Sequence, residues 1–259
     1  MSTSFLNRFS KEEHMFRLLP TLLCLLIGCT ILAAPAPNSA WDRPIDPDHD
    51  CKFDIRDGKI TVEMPGGDHE LSPNRKRFNA PRLLRDFDGD FVMRVRVSGV
   101  FRPTAKAAVD QKDSFVAAGL LMIPADDNCI RLEYAASRRK GELHSCPAFR
   151  MLGGRIFNVD MGWEASWKVA AAADKEAHIY LSLERRGDFI YEGISPDGKQ
   201  WIYSFKAILK DLPKKVKVGL AAYSTSTEPF RVRFDEFKLI RAERQGREPG
   251  IVFEGKFTK

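Results

Sequence analysis

Hydrophobic and polar side chains alternate along most of the chain. In residues 91–97 apolar side chains occupy the odd positions, whereas Arg94 and Arg96 occupy even ones. The same alternation recurs in residues 179–184 and 230–234. Successive side chains of a β-strand point to opposite sides, so a period of two predicts strands with one apolar and one polar face. Such strands are typical of antiparallel sheets that have one solvated side.

Short strands separated by turn signals predict an all-β fold. Ser195-Pro196-Asp197-Gly198 has proline and glycine where a type I turn favours them. Only residues 170–177 and 205–212 are predicted to be briefly helical. Because roughly ten to thirteen strands are expected without crossover helices, the pattern predicts a two-sheet sandwich or a barrel. The clearest predicted strands are residues 59–63, 90–97, 116–122, 129–135, 142–148, 178–185, 189–194, 201–205, 217–223 and 230–240.

The first residues have the features of an export signal. Basic residues precede an apolar run at residues 18–32, and the small residues Ala33 and Ala34 follow it. The run is shorter than the ~20 apolar residues of a membrane-spanning helix, so no membrane span is predicted. We therefore predict a signal peptide at residues 1–33, a proline-rich linker at residues 34–40, and a secreted or periplasmic protein.

Two alternatives remain open in this segment. Met15 is a second candidate for the initiating residue. Leu26-Ile27-Gly28-Cys29 resembles a bacterial lipid-attachment sequence, in which Cys29 would carry a lipid anchor. The apolar run continues to Leu32, which favours ordinary cleavage after it.

Composition changes this picture little. Apolar residues make up 44% and charged residues 29% of the 259 residues, as in an ordinary globular domain. The net charge of +6 comes from 41 basic residues scattered among 35 acidic ones, so it indicates a solvated surface and no nucleic-acid partner. We predict one domain at residues 41–241, followed at residues 242–259 by a polar tail or an edge strand.

Three cysteines remain outside the signal segment: Cys51, Cys129 and Cys146. An export signal places them in an oxidising compartment, where a disulfide can persist. Cys129 and Cys146 flank a predicted hairpin. A turn centred near residue 138 places them opposite each other, whereas a turn centred at Arg139 separates them. A Cys129–Cys146 disulfide and two free thiols both remain open, with Cys51 unpaired in either case.

Several short segments are distinctive in their order and spacing. They are Asp68-His69-Glu70-Leu71, Asn79-Ala80-Pro81-Arg82, Gly89-Asp90-Phe91, Ala118-Gly119-Leu120-Leu121, Ile130-Arg131-Leu132-Glu133, Leu183-Glu184-Arg185-Arg186-Gly187, Ser195-Pro196-Asp197-Gly198-Lys199-Gln200-Trp201 and Val218-Gly219-Leu220-Ala221-Ala222-Tyr223-Ser224. Through them, residues 41–241 resemble the bacterial domain family DUF1349, a branch of the concanavalin A-like lectin/glucanase superfamily. The resemblance implies a concanavalin A-like jelly-roll sandwich of two antiparallel sheets. It implies no activity, because sugar binding by relatives is an analogy of fold alone.

The carboxylates form no recognisable catalytic set. Glucanases of this superfamily carry two acids at alternate positions of one strand, which places both on one face. Here Ala135 follows Glu133 at that spacing, and Arg186 follows Glu184. No Gly-x-Ser-x-Gly nucleophile motif is present either. The sequence therefore predicts a protein without catalytic residues, and a glycoside hydrolase with a non-standard carboxylate pair remains the alternative.

One acidic cluster has the spacing of a calcium loop. Asp46, Asp48 and Asp50 alternate as the first ligands of an EF-hand do. Cys51, however, stands where the sharp turn of that loop needs glycine. We therefore expect solvated turns and no metal or other cofactor, with calcium as the alternative.

Sugar binding requires aromatic faces for the apolar side of a pyranose ring and fixed polar groups for its hydroxyls. Arg131 and Glu133 alternate with apolar neighbours and should face away from the core, and His144 is expected on the same face of the next strand. The structural alternatives are an Arg131–Glu133 ion pair and a Trp201 that packs at the rim. The candidate stacking surfaces are Trp163, Trp167, Tyr180, Tyr191 and Trp201.

His69, Asn79 and Arg82 are polar members of the distinctive segments and complete the candidate ligand-binding residues. Capping of loops is the alternative role for all three. The sequence thus predicts an exported, non-catalytic domain that binds carbohydrate or another cell-envelope component. A structural domain for protein–protein contacts is the remaining alternative.

Overall fold

The computed structural model describes residues 41, 43–110, 113–153, 159–162, 176–242 and 251–256. Within these residues the chain is mostly β-strand, with one short 3-10 helix at Pro73–Arg75. The strands, numbered along the chain, are β1 (Lys52–Arg56), β2 (Lys59–Met64), β3 (Leu71–Ser72), β4 (Arg77–Phe78), β5 (Arg82–Asp88), β6 (Phe91–Gly99), β7 (Ser114–Ala125), β8 (Asn128–Arg139), β9 (Glu142–Gly153), β10 (Val159–Gly162), β11 (Ala177–Arg186), β12 (Phe189–Ser195), β13 (Ile202–Lys210), β14 (Lys215–Ser224), β15 (Phe230–Arg241) and β16 (Ile251–Lys256).

These strands form two large sheets and one small hairpin. The eight-stranded sheet has the order β1-β2-β15-β6-β11-β12-β13-β16, and the six-stranded sheet has the order β10-β9-β8-β7-β14-β5. Neighbouring strands in both sheets are antiparallel, except that β16 lies parallel to β13 at an edge. The hairpin consists of β3 and β4.

One apolar cluster fills the space between the two large sheets. Val95 and Val97 of β6 are at most 1% exposed, and Leu181 of β11 pairs with Val95 and is fully buried. The six-stranded sheet contributes Leu120 and Leu132 to the same cluster. Since the apolar faces of both sheets meet in one core, the prediction of an all-β, two-sheet antiparallel sandwich is confirmed.

The brief helix predicted for residues 205–212 is wrong. Residues 202–210 form β13, in which Ala207 and Leu209 alternate into the core. Hydrogen bonding to β12 on one side and to β16 on the other decides the conformation, because sheet pairing overrides local propensity. The other segment predicted to be helical, residues 170–177, lies largely outside the described residues.

The hairpin of β8 and β9 does not bring Cys129 and Cys146 together. Its turn lies at residues 140–141, which places Cys129 opposite Leu152 and Cys146 opposite Ala135. Positions 129 and 135 of β8 are roughly 20 Å apart, at ~3.4 Å per residue of strand. The disulfide that the sequence left open is therefore not formed, and none of Cys51, Cys129 and Cys146 is disulfide-bonded to another described residue. Burial raises the pKa of the Cys129 thiol to about 11.

Residues 1–40 lie outside the described residues. The predicted signal peptide, the linker and the alternative lipid anchor at Cys29 therefore stay predictions. In the part of the chain that the structure describes, no helix has the length and apolar character needed to cross a membrane.

Candidate functional site

Arg131 and Glu133 lie on the outer face of the six-stranded sheet, the face turned away from the core between the sheets. Residues 69–80, which we call the covering segment, contain β3, the 3-10 helix and β4. Leu71 and Ala80 of this segment pack against outward-facing apolar residues of the sheet, Leu121 among them. The covering segment therefore closes part of this face to solvent.

Glu133 is held between two arginines beneath this cover. Its carboxylate lies 2.7 Å from Arg150 Nε and 3.3 Å from Arg131 Nε, and the Glu133 side chain is 1% exposed. Arg131 donates a hydrogen bond of 3.2 Å to the Leu71 carbonyl and lies 4.3 Å above the Tyr223 ring. Burial acts to lower the pKa of Arg131, but Glu133 together with Tyr223 and other neighbours outweighs it, so the pKa is raised and the guanidinium stays charged. This cluster attaches the covering segment to the sheet.

Asn79 and Arg82 hold the covering segment in place. Asn79 accepts a hydrogen bond of 3.0 Å from the Glu70 backbone N–H and donates one of 2.7 Å to Asp48. Arg82 donates to the backbone carbonyls of Phe78, at 3.0 Å, and Ala80, at 2.8 Å. These contacts are the loop-capping role that the sequence left open.

The remaining predicted residues do not join Arg131 and Glu133 in one site. His144 is on the same face but pairs with Ser137, so it lies roughly 13 Å along the strand from Glu133. His69 is buried at the start of the covering segment, against Asp50. Trp163, like Trp167, lies outside the described residues. Trp201 lies directly before β13 of the other sheet.

On the outer side of the eight-stranded sheet, the partly exposed rings of Tyr180, Trp201 and Tyr203 form a group that we call the aromatic platform. The rings of Trp201 and Tyr203 lie 6.3 Å apart between centroids, with 34° between their planes. The Arg94 guanidinium lies 4.7 Å from the centroid of the Trp201 ring. Tyr203 packs closely against Gly193, where a side chain would collide with its ring.

The predicted turn at residues 195–198 positions Trp201. The Asp197 carboxylate accepts hydrogen bonds from the backbone N–H groups of Lys199, at 2.8 Å, and Gln200, at 2.9 Å. Trp201 Nε1 donates to the Gly198 carbonyl at 3.1 Å. The turn thus orders the segment before β13 and fixes the plane of the indole ring.

Glu184 is fully buried beneath the aromatic platform. Its carboxylate accepts a hydrogen bond of 2.7 Å from the Tyr203 hydroxyl. Arg186 Nη2 lies 3.0 Å from the same carboxylate, and Arg94 Nη2 lies 3.9 Å away. Glu184 therefore orients Tyr203 and neutralises the arginines around it.

A cleft of about 480 Å³, which we call the outer cleft, opens on the same sheet face beside the aromatic platform. Arg96 pairs across the strands with Tyr180 and lines this cleft, so the two features adjoin. Arg96 Nε and Asp235 Oδ1 are buried there and have no hydrogen-bond partner among the described residues. The lining residues are Asp57, Gly58, Lys59, Arg96, Arg233, Asp235, Glu236 and Phe237.

Charged contacts order the floor of the outer cleft. The Asp235 carboxylate lies 2.8 Å from Arg233 Nε and 3.7 Å from Arg96 Nη1. The hydrogen bond from Arg233 to Asp235 raises the pKa of Arg233. Tyr180 donates a hydrogen bond of 3.1 Å to Glu236, and burial together with this contact raises the pKa of Tyr180. The Tyr180–Glu236 hydrogen bond links the platform to the cleft.

The sequence did not indicate Asp235 and Glu236 as neighbours in a cleft, because alternation predicts opposite faces for adjacent residues. In the structure β15 has an irregular register between Asp235 and Lys238, and Glu236 has a φ of 54°. This β-bulge adds a residue to one strand and turns both carboxylates toward the cleft. Alternation from the buried Ala207 and Leu209 would place Tyr203 in the core, and the irregular register between β12 and β13 near Gly193 is what turns its ring to the outer face.

Comparisons with known proteins address the fold. No protein-family model matches the chain, and no curated protein matches it. A solved structure of a functionally unknown protein from Saccharomyces cerevisiae is similar, with a TM-score of 0.57 and 15% identity over 80% of this chain and 98% of that one. An alginate lyase from Klebsiella pneumoniae has a TM-score of 0.47 and 11% identity, over 74% of this chain and 85% of that one. A lectin from Bauhinia forficata in complex with GalNAc has a TM-score of 0.41 and 10% identity, over 74% of this chain and 91% of that one. Identities this low show similarity of fold alone. Of these three structures, only the one from Saccharomyces cerevisiae has a TM-score above 0.5, so only that one supports the fold.

Proposed function

We propose that this protein is a non-catalytic carbohydrate-binding domain, and that the outer cleft and the aromatic platform together form its glycan site. The observation that supports the proposal most strongly is the junction of the two features at Tyr180, which pairs with Arg96 and is hydrogen-bonded to Glu236. A volume of about 480 Å³ lies within the usual range for small-ligand sites, ~300–1,000 Å³.

The chemistry of the site matches the two sides of a sugar. The C–H-rich face of a pyranose ring stacks on aromatic rings, here those of Trp201 and Tyr203. Its hydroxyls both donate and accept hydrogen bonds, and the outer cleft is lined by donors, Arg96 and Arg233, and by acceptors, Asp235 and Glu236. Buried polar groups of this kind are normally satisfied by a partner, such as a ligand or water.

The arginines around the carboxylates favour binding over hydrolysis. A glycosidase needs one carboxylic acid that can give a proton and a second carboxylate as base or nucleophile. Asp235 lies between Arg233 and Arg96, and Glu133 lies between Arg131 and Arg150. Both carboxylates are therefore engaged in ion pairs with two arginines each, and neither is left free to serve as the acid or the base of such a pair.

We further assign the chain to the DUF1349 branch of the concanavalin A-like superfamily on the resemblance of its segments, and we place the mature domain outside the cytoplasm. The apolar run at residues 18–32, with small residues after it, supports export. A cell-envelope or extracellular polysaccharide is then the ligand class that the domain would meet.

The test begins with a glycan array of neutral and uronic-acid polysaccharides, and continues by calorimetry with the best ligand found. Trp201→Ala should weaken binding about tenfold, because a lost stacking surface costs about 1.4 kcal/mol. Asp235→Asn should weaken binding as well, through the cleft. Phe78→Ala is the matched control, since Phe78 is an exposed aromatic residue, 38% accessible, on β4 beside the other sheet.

Three outcomes would contradict the proposal. Absence of binding to every glycan on the array removes carbohydrate as the ligand class. If Phe78→Ala binds glycan more weakly and Trp201→Ala binds it unchanged, the glycan site lies beside the six-stranded sheet instead. Release of reducing sugar by the parent protein, abolished in Asp235→Asn, identifies a hydrolase instead.

A further inference from the structure

Three metal-ligating side chains meet where the chain enters the domain: Asp50, Cys51 and His69. His69 Nε2 lies 3.1 Å from Asp50 Oδ1, and Cys51 Sγ lies 3.3 Å from the same oxygen. All the ligand atoms of the group lie within 4.8 Å of one another. His69 is 2% exposed, so its imidazole faces the group from inside the protein.

These separations suit a tetrahedral ion. Zn²⁺ binds nitrogen and oxygen at ~2.0–2.2 Å and thiolate sulfur at ~2.3 Å, so donors on one tetrahedral ion are roughly 3.3–3.8 Å apart. The observed 3.1 Å and 3.3 Å need only a slight opening to admit the ion. His69 Nε2 is the nitrogen that faces the group, and with an ion there the imidazole proton would lie on Nδ1, which has no hydrogen-bond partner among the described residues.

Asp46 lies next to this group of three residues. Its Oδ2 accepts a hydrogen bond of 2.9 Å from the Cys51 backbone N–H, which holds the carboxylate beside the cysteine. Its Oδ1 is buried and has no hydrogen-bond partner in the described part of the chain. Asp46 is not one of the three residues whose ligand atoms lie within 4.8 Å of one another, so a four-coordinate ion would take water in its remaining position.

The donor set excludes the calcium loop considered from the sequence. Calcium takes about six to eight oxygen ligands, whereas a thiol and an imidazole are ligands of borderline or soft metals. Asp48, the middle residue of the alternating acids, is hydrogen-bonded to Asn79 at 2.7 Å and does not belong to the group. We therefore expect this group to prefer a borderline metal to calcium.

We propose that Asp50, Cys51 and His69 bind a divalent cation of the zinc class, with water in the fourth position. The ion would join residues 46–51 to His69, which begins the covering segment and forms an isolated bridge with Ser224 of the six-stranded sheet. It would thereby fix the covering segment over that sheet. This role is independent of the proposed glycan site, which lies on the other sheet.

The experiment measures metal binding by the protein after chelator treatment and dialysis. Zn²⁺ is expected at about one ion per chain, and Co²⁺ should give the near-ultraviolet charge-transfer absorption of a cobalt–thiolate bond. Cys51→Ser should abolish that absorption and weaken Zn²⁺ binding by more than the ~10–100-fold cost of losing an outer-shell partner. The matched controls are Cys146→Ser and His144→Ala, which remove a partly exposed thiol and imidazole on β9 and should leave binding unchanged.

A second measurement needs no variant. In the parent protein Zn²⁺ should slow alkylation of Cys51, read by peptide mass spectrometry, and leave alkylation of Cys146 unchanged, while Ca²⁺ should protect neither. The proposal fails if no Zn²⁺ binds when the ion is in tenfold molar excess over the protein, or if Cys51→Ser binds Zn²⁺ as tightly as the parent protein does. It also fails if Ca²⁺ slows alkylation of Cys51 as much as Zn²⁺ does.

Discussion

Arg150 Nε lies 2.7 Å from the carboxylate of Glu133, which is almost completely removed from solvent. Arg131 contacts the same carboxylate and also the Leu71 carbonyl of the covering segment. The ion-paired cluster therefore has a structural consequence that two isolated side chains would not have: it attaches a loop to a sheet. A buried charge that loses its partner is costly, whereas an exposed pair contributes little.

We therefore expect Glu133→Gln to lower the free energy of unfolding by about 3–5 kcal/mol, because it leaves the buried Arg131 without its counter-charge. Replacing both Arg131 and Glu133 with leucine should recover part of this loss, since no charge then remains unpaired. Urea denaturation of the parent protein, of Glu133→Gln and of the double leucine variant measures these differences. Asp54→Asn, which breaks the exposed Arg56–Asp54 pair, is the control and should change stability by less than about 1 kcal/mol. Equal stability of Glu133→Gln and the parent would show that the pair contributes nothing.

Leu181 tests the assignment of the sheet faces. It is fully buried on β11, opposite Val95, in the core between the sheets. Leu181→Ala should cost about 2–5 kcal/mol through the cavity it leaves, and Leu181→Asp should cost more because it buries an unpaired charge. His178→Asp, at an exposed position of the same strand, is the matched control. If both aspartate variants melted at the same temperature in a thermal scan, the assignment of Leu181 to the core face and His178 to the solvent face would be contradicted.

Asp197 makes the turn before Trp201 sensitive to pH. Backbone N–H groups of Gln200 and Lys199 donate to its carboxylate and hold its pKa below the ordinary value. A lowered pKa in the folded state means that the ionised form stabilises the fold. This contribution is complete above the unfolded-state pKa of about 3.9 and is lost as pH falls through the lower folded-state value.

Asp197→Asn should therefore be less stable than the parent at neutral pH, and the difference should shrink as the pH falls from about 4 toward 2. Urea denaturation at several pH values in this range, monitored by tryptophan fluorescence, measures the difference in stability between the parent protein and Asp197→Asn. Asp126→Asn serves as the control for loss of an exposed turn carboxylate. A difference between parent and Asp197→Asn that stays constant down to pH 2 would mean that the charge of Asp197 does not stabilise the turn.

The fold class and the inward residues could be predicted from the sequence because they depend on local alternation. Val95, Val97 and Leu181 are buried as their positions in the pattern require. The turn at residues 195–198 followed likewise from proline, aspartate and glycine in adjacent positions. Local patterns specify which side of a strand is apolar, since side chains alternate with a period of two whatever the neighbouring strand is.

Contacts between distant parts of the chain determined the rest. The turn of the β8–β9 hairpin lies at residues 140–141, and this register separates Cys129 from Cys146. The bulge near Glu236 directs the adjacent carboxylates of Asp235 and Glu236 toward the same cleft. The covering segment buries Glu133 against the six-stranded sheet. The amino-acid sequence by itself therefore determined an antiparallel sandwich and its core. Only the tertiary structure decided that Trp201 and Arg131 face opposite sides of the molecule, because the assignment of strands to sheets depends on pairing between residues far apart in the chain.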